Sequence, residues 1–205
     1  AWQEKVVPGV TASQIRVKKY NGTSWTSVDG NGTNGLNMDP AKEGTRPTLA
    51  VSNGSLYLAW VEAVTSSYGQ IRVKKYNGTS WTSAEGGSTA GLNVDTTKDA
   101  TFPALVDYNN ALYASWAELG KIYVKRYNGT EWTSVDGGTN GINVDPAKGG
   151  AFPALAVMGN DLIAVWSEFS GSIYQLRAKK YDGTSWTTID GGANGLNMAA
   201  GKSAY

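Results

Sequence analysis

The sequence predicts an all-β fold made of β-propeller blades, each with four antiparallel strands. The segment Lys-Lys-Tyr-Asn-Gly-Thr-Ser-Trp at residues 74–81 recurs with small changes at 18–25, 125–132 and 179–186. We call these four copies the marker hairpins. A Trp-X-Glu unit also recurs four times, and no window shows the 3.6-residue period of a helix. Repetition at a spacing of about 50 residues is typical of propeller blades.

The first predicted strand of each blade begins at a proline. Pro47, Pro103 and Pro153 each precede a short apolar run. Proline donates no backbone hydrogen bond, so it is tolerated as the first residue of a strand. We therefore place the innermost strand of the third blade at residues 103–106.

The other three strands follow from composition and alternation. Residues 56–62 are rich in Leu, Tyr and Trp, as a buried strand would be. Residues 71–76 alternate apolar and charged side chains, which indicates a strand with one wetter face. An Asn-Gly turn then leads to a fourth strand at residues 81–84, because Asn and Gly accept the positive φ of tight hairpins. A linear β-solenoid is the alternative architecture.

The repeats divide the chain into approximately 1–46, 47–102, 103–152 and 153–205, taken as one propeller domain, 1–205. Three blades are complete and one further blade is split or incomplete, because the chain ends before the next inner-strand proline is due. We expect a homo-oligomer or part of a larger repeat protein, since an incomplete blade exposes strand edges.

Composition excludes several kinds of chemistry. The chain of 205 residues carries a formal net charge of +1 and contains no His and no Cys. The near-neutral charge argues against nucleic acid as a partner. No apolar run is long enough for membrane insertion. Catalysis would have to use carboxylates, Tyr, Ser or Lys, since the commonest general base is missing.

Repetition of the carboxylates favours a binding module over an enzyme. One active site needs distinct residues in distinct roles, whereas the Trp-X-Glu glutamate occurs once per repeat. The candidate ligand-binding residues are those of the Trp-X-Glu units and the links between blades: Trp2, Glu4, Trp60, Glu62, Trp116, Glu118, Trp166, Glu168, Asn37, Asp39, Asn93, Asp95, Asn143, Asp145 and Asn197. The alternative is a structural role, with Glu62 paired to Arg72 and Glu168 to Arg177 across strands.

The links are also rich in oxygen-bearing side chains, which are the ligands that Ca²⁺ takes. We expect no cofactor, with Ca²⁺ at Asp29, Asn31, Asp136 and Asn140 as the alternative. The structural interpretation is that Asn, Asp and Gly only supply turns. The loop between the second and third strands varies in length and is expected to share one face with the links.

Tyr181-Asp182-Gly183-Thr184-Ser185-Trp186 resembles the Asp-box hairpin of bacterial sialidase-like propellers. In that family the hairpin is structural and lies away from the active face. The wider repeat pattern is similar in layout to bacterial propeller lectins. The resemblance implies an extracellular or cell-surface bacterial protein. Sialidase chemistry does not carry over, because no arginine triad or Tyr-Glu nucleophile pair is evident.

These observations predict a non-enzymatic module that binds glycans at several equivalent inter-blade sites. The first alternative is a scaffold that binds a protein surface and no small molecule. The second is a glycoside hydrolase, which would need two carboxylates in one pocket, about 5 to 10 Å apart.

Overall fold

The computed structural model describes residues 1–5, 12–30, 34–66, 68–88, 90–199 and 201–204. These residues form strands, turns and bends, and they contain no helix that could cross a membrane. The strands are β1 (Trp2–Glu4), β2 (Gln14–Arg16), β3 (Lys18–Tyr20), β4 (Trp25–Ser27), β5 (Gly44–Ser52), β6 (Ser55–Ala63), β7 (Gly69–Tyr76), β8 (Trp81–Ser83), β9 (Ala100–Tyr108), β10 (Ala111–Glu118), β11 (Lys121–Tyr127), β12 (Trp132–Ser134), β13 (Gly150–Met158), β14 (Asp161–Phe169), β15 (Tyr174–Tyr181) and β16 (Trp186–Thr188).

The predicted fold class is confirmed. Three four-stranded antiparallel sheets run in the orders β5-β6-β7-β8, β9-β10-β11-β12 and β13-β14-β15-β16, so each sheet is a complete propeller blade. Strands β1–β4 form two two-stranded sheets, which we call the half-blade. The chain divides into two compact units, Ala1–Pro103 and Ala104–Tyr205. The expectation of a single domain stays a prediction.

The innermost strands begin earlier than the prolines. Strands β5, β9 and β13 start three residues before Pro47, Pro103 and Pro153. The registers of β5 on β6 and of β13 on β14 shift on either side of the proline, as at a β-bulge. The prediction that proline opens the strand is therefore wrong: a bulge places it where no ladder hydrogen bond is required.

The residue before each of these prolines has a left-handed backbone. Its φ is 54° at Arg46, 56° at Phe102 and 55° at Phe152. A left-handed conformation at a bulky residue costs about 1–3 kcal/mol and tends to occur at functional positions. The sequence repeats this strain at the same point of each innermost strand.

The core of the first unit surrounds a tryptophan of the second strand of its blade. Trp60 is fully buried and packs in one cluster with Ile15, Val17, Leu36 and Leu58. In the second unit Trp116 and Trp166 are equally buried. Burial of such a side chain stabilises the fold by several kcal/mol, so these three tryptophans are a main source of stability for the blades that contain them.

The marker hairpins hold one blade against the preceding one. The indole N–H of Trp81 donates to the carbonyl of Val28 at 2.8 Å in the first unit. In the second unit Trp186 donates to Val135 at 2.7 Å. The ammonium group of Lys74 donates to the carbonyl of Leu36 at 2.7 Å, so Lys74 does not lie on a fully solvated strand face. Burial lowers its pKa below the ordinary lysine value.

Candidate functional site

The Trp-X-Glu residues make internal contacts. In each of the four units the indole N–H donates to the glutamate two positions later, at 2.9 Å in Trp2–Glu4 and 3.2 Å in Trp60–Glu62. The same bond is 2.8 Å in Trp116–Glu118 and 3.0 Å in Trp166–Glu168. The last three pairs are buried, whereas Trp2 and Glu4 are exposed.

The buried glutamates also bind the links between blades. Glu62 accepts the backbone N–H groups of Met38 at 2.6 Å and of Asp39 at 3.2 Å. Glu168 does the same for Val144 and Asp145, at 2.9 and 3.0 Å. The predicted Glu62–Arg72 pair is present, with its charged atoms 3.7 Å apart. Arg177 lies instead 2.8 Å from Asp190.

The link asparagines fasten each link to the third strand of the preceding blade. Asn93 accepts the N–H of Ile71 at 2.9 Å and donates to the carbonyls of Gly69 and Lys98, at 3.2 and 2.9 Å. Asn37, Asn143 and Asn197 each make the equivalent three bonds. These side chains bond backbone groups of the third strand that the short fourth strand does not pair. Their ligand-binding role stays a prediction.

The link aspartates cap local turns. Asp39 and Asp145 each accept the N–H two residues later, at 2.9 Å. Asp95 accepts both the N–H and the hydroxyl of Thr97, and these two hydrogen bonds lower the pKa of Asp95. Hydrogen bonds of this kind are typical of turns, as the structural interpretation of the links predicted.

The described aspartates of the alternative Ca²⁺ site make hydrogen bonds within their own units. Asp29 accepts the N–H of Val17 and the Ser27 hydroxyl, and Asp136 accepts the N–H of Val124. Asn140 is exposed, and Asn31 lies outside the described residues. Among the residues that the structure describes, no three acidic side chains are grouped as a metal site requires. Calcium binding remains an untested alternative.

A polar pocket of about 290 Å³ lies in the first unit, and we call it the loop pocket. It is formed by the start of β5, the end of β6, the loop that leads to β7, and the link before β9. Its lining includes two carboxylates, a guanidinium and a phenol, from Glu43, Asp99, Arg46 and Tyr68. The predicted sharing of one face by the variable loop and a link is confirmed here.

Both pocket carboxylates are exposed, and each is placed by a hydrogen bond. One oxygen of Asp99 accepts the backbone N–H of Gly69 at 2.7 Å. One oxygen of Glu43 accepts the Ser13 hydroxyl at 3.3 Å. Gly69 is required at this point, because a Cβ there would lie 2.6 Å from a methyl group of Val61. Asp99 is thus fixed more tightly than Glu43.

The side chain of Arg46 places its guanidinium over the aromatic ring of Phe102. Its guanidinium carbon is 4.6 Å from the centre of the Phe102 ring. The backbone N–H of Arg46 donates to the side-chain oxygen of Gln3 at 3.1 Å. Aromatic faces and guanidinium donors suit polyhydroxylated ligands, since the ring packs on C–H groups and the donors bond hydroxyls.

The sequence analysis did not single out Glu43, Asp99, Arg46 or Tyr68. Glu43, Asp99 and Gly149 occupy one position, three residues before Arg46, Phe102 and Phe152. The usable signal was an acidic residue that two of the links carry at this position and the third lacks. The glutamates that all complete blades share are buried.

No protein-family model matches the chain, and no curated protein matches it. Among solved structures it is similar to a GH43 endo-arabinanase from Bacillus licheniformis (TM-score 0.52, 16% identity, 94% of this chain and 76% of that one). It is also similar to a GH93 α-L-arabinofuranosidase of Fusarium graminearum (0.52, 16%, 85% and 58%) and to a Bacillus subtilis arabinanase (0.50, 14%, 90% and 74%). The chain therefore spans less than two thirds of some of these proteins. At such identities the likeness establishes the propeller fold.

The comparison contradicts two predictions. We expected a non-enzymatic binding module, but the solved structures named above, which share this fold, are glycoside hydrolases. Repetition of the blades is no argument against an enzyme, because those hydrolases share the propeller fold. The propeller part of the sialidase resemblance is confirmed, and the sialidase kinship itself has no support from a family model.

Proposed function

We propose that the chain acts on carbohydrates as a glycoside hydrolase, with the loop pocket as its active site. The observation that carries the proposal is the pair of exposed carboxylates, Glu43 and Asp99, in one cavity of a propeller. Two carboxyl groups facing one site are the common requirement of glycoside cleavage. The fold neighbours support the reaction class, because they include an arabinanase and an arabinofuranosidase.

The geometry supports distinct roles for the two carboxylates. Asp99 is held by a backbone N–H through one oxygen, and its other oxygen makes no hydrogen bond within the described residues. A fixed carboxylate suits attack on the sugar carbon or activation of water. Glu43 has a longer side chain and a weaker tether, which suits delivery of a proton to the departing oxygen.

Binding would come from the residues around the carboxylates. Arg46 and Tyr68 supply hydrogen-bond donors for sugar hydroxyls, and Phe102 supplies an apolar face beside Arg46. The Asp-box-like hairpins enter this proposal as structural elements. An extracellular location fits a polysaccharide substrate, and it remains part of the proposal.

The test is product release from a panel of substrates by the intact chain. Arabinan, arabinobiose and sucrose are chosen because the fold neighbours include an arabinanase, an enzyme bound to arabinobiose and one bound to sucrose. We expect new reducing ends from at least one of them. Glu43→Gln should lower that rate by a factor of about 10²–10⁴, the usual contribution of a general acid.

Glu131→Gln is the matched control, because Glu131 is an exposed glutamate on a marker hairpin outside the pocket. Its rate should equal that of the wild type. Absence of cleavage for every substrate, or equal rates in the two variants, would refute the assignment of the pocket.

A further inference from the structure

The loop between β6 and β7, residues 64–68, supplies part of the lining of the loop pocket. It is longer than its counterparts in the third and fourth blades, which have two and four residues. Thr65, Ser66 and Tyr68 line the pocket. Their side chains are uncharged, and each carries a hydroxyl group that can donate and accept hydrogen bonds. The loop therefore brings neutral polar groups to a pocket that also holds two carboxylates.

Backbone hydrogen bonds close the base of this loop. The N–H of Val64 donates to the carbonyl of Tyr68 at 3.0 Å, and the N–H of Thr65 donates to the same carbonyl at 3.4 Å. Just before the loop, the N–H of Ala63 donates to the carbonyl of Glu43 at 2.8 Å. The loop is therefore tied to the link before β5, which carries one of the two pocket carboxylates.

Charged side chains hold the loop at both ends. The ammonium group of Lys42 donates to the carbonyl of Val64 at 2.9 Å in a partly buried hydrogen bond. At the other end Asp99 accepts the N–H of Gly69, the first residue of β7. Hydrogen bonds of charged groups are about twice as strong as those of neutral groups. The links on either side of the second blade thus fix the loop from two directions.

The fourth blade repeats the lysine support, with Gly149 in place of Glu43. The N–H of Phe169 donates to the carbonyl of Gly149 at 2.8 Å. The ammonium group of Lys148 lies 3.3 Å from the position that a Cβ on Gly171 would take, so it lies against the loop between β14 and β15. The repeat therefore keeps the lysine and varies the loop that the lysine supports.

We propose that the loop at residues 64–68 forms a subsite for a second, uncharged sugar unit beside the bond that is cleaved, and that Lys42 positions this subsite. The inference rests on the proposed hydrolase function and names its substrate class, a neutral oligosaccharide. Two carboxylates and one guanidinium give the pocket lining a net negative charge, which repels a sugar unit that carries a carboxylate. The hydroxyl groups of Ser66 and Tyr68 bond the hydroxyls of the neutral unit.

Lys42 acts on binding and not on the reacting bond. Its removal leaves the carbonyl of Val64 without the ammonium donor and frees the start of the loop, whereas Glu43 and Asp99 keep their own hydrogen bonds. The loop contacts a sugar unit whose charge does not change in the reaction. Contacts that are equal in the substrate complex and in the transition state change KM and leave kcat unchanged.

The first experiment measures the kinetics of Lys42→Met on the substrate that the panel identifies. Methionine keeps an unbranched apolar stem and removes the ammonium group. We expect KM to rise about tenfold, the effect of one hydrogen bond of a charged group, with kcat within about twofold of the wild type. A lysine that only stabilised the fold would lower the melting temperature and leave KM unchanged.

Lys148→Met is the matched control, because Lys148 holds the same repeat position beside a loop outside the pocket. It should leave both KM and kcat unchanged. Ser66→Ala changes the exposed part of the loop without touching its support, and it decides the matter if Lys42→Met does not fold. We expect Ser66→Ala to raise KM by a factor of about 2–10.

The second experiment needs no cleavage, so it separates this proposal from the hydrolase function. Calorimetry titrates the Glu43→Gln variant, with and without Lys42→Met, with arabinobiose, sucrose, arabinan and polygalacturonate. We expect at least one neutral sugar to bind, and its dissociation constant to rise about tenfold when Lys42→Met is added. Tighter binding of polygalacturonate than of every neutral sugar would overturn the substrate class.

The outcomes of the two experiments are distinct. Binding that depends on Lys42 in a chain that cleaves nothing would refute the hydrolase and keep the subsite. Cleavage with equal KM in Lys42→Met and Lys148→Met would refute the subsite and keep the hydrolase. No cleavage, together with no binding at sugar concentrations up to about 10 mM or with binding that Lys42→Met leaves unchanged, would refute both.

Discussion

Glu85 occupies the position where the other three repeats carry aspartate. Its counterparts are Asp29, Asp136 and Asp190. One oxygen of Glu85 accepts the N–H of Val73, and the other lies 3.2 Å from Arg72. Burial outweighs these contacts and raises the pKa of Glu85 from its ordinary value of 4.5 to about 7. The glutamate therefore gains a proton within the range of ordinary buffers.

The shifted pKa of Glu85 predicts a pH dependence of stability. The folded chain holds this proton up to a higher pH than the unfolded chain does, so folding is favoured below pH 4.5 and the advantage is lost as pH rises through about 7. Between these pH values the Glu85→Gln variant should show a flatter dependence of melting temperature than the wild type, by about 2–8 °C in total.

Thermal melts at several pH values between 4.5 and 8 measure this effect. Glu85→Asp, which restores the residue of the other repeats, is the matched comparison for loss of the longer side chain. An unchanged pH profile in Glu85→Gln would show that another group controls stability in this range.

Each link between two blades is held in place by the hydrogen bonds of one asparagine. Asn93 is buried and makes three hydrogen bonds to backbone groups, and the same bonds recur at the other three link asparagines. Removing such a side chain leaves several buried backbone groups without partners, and each lost partner costs about 1–3 kcal/mol.

Asn93→Ala should lower the free energy of unfolding by about 2–4 kcal/mol. Asn140→Ala is the control, because Asn140 is an exposed asparagine of an equivalent link. Chemical unfolding followed by tryptophan fluorescence compares the two variants. Equal stability of both variants would mean that the asparagine bonds do not hold the link in place.

Elements with strict alternation and Asn-Gly turns were predictable from sequence. The marker hairpins lie where the pattern placed them, because their conformation is set by local residues. The start of the innermost strand was not predictable in the same way. Its bulge depends on the left-handed residue before proline, and nothing in the side chain of Phe102 or Phe152 favours that conformation.

The same division holds for the candidate site. The repeated tryptophans and glutamates are conspicuous in sequence because every blade needs them for its own hydrogen bonds. Glu43 and Asp99 occupy one position of the repeat, where the fourth blade has Gly149, and their proximity to one cavity comes from the loop after β6 and from packing within the first unit. Contacts of that kind join distant parts of the chain and leave no periodic signal.

At the scale of the whole molecule, repeated residues supply the scaffold, and we propose that two carboxylates at one repeat position supply the site. Equivalent residues in each repeat secure the blades and links within each unit. Homo-oligomer formation and membership of a larger repeat protein stay predictions. We propose that the loop pocket cleaves a glycosidic bond with Glu43 and Asp99.

The most direct measurement of that claim is the cleavage rate of Asp99→Gly on the substrate that the wild type hydrolyses. Gly149 occupies the same position of the fourth blade, so the substitution is compatible with the fold. We predict a rate about 10²–10⁴ times lower with a melting temperature close to that of the wild type. A folded Asp99→Gly variant that cleaves at the wild-type rate would contradict the account.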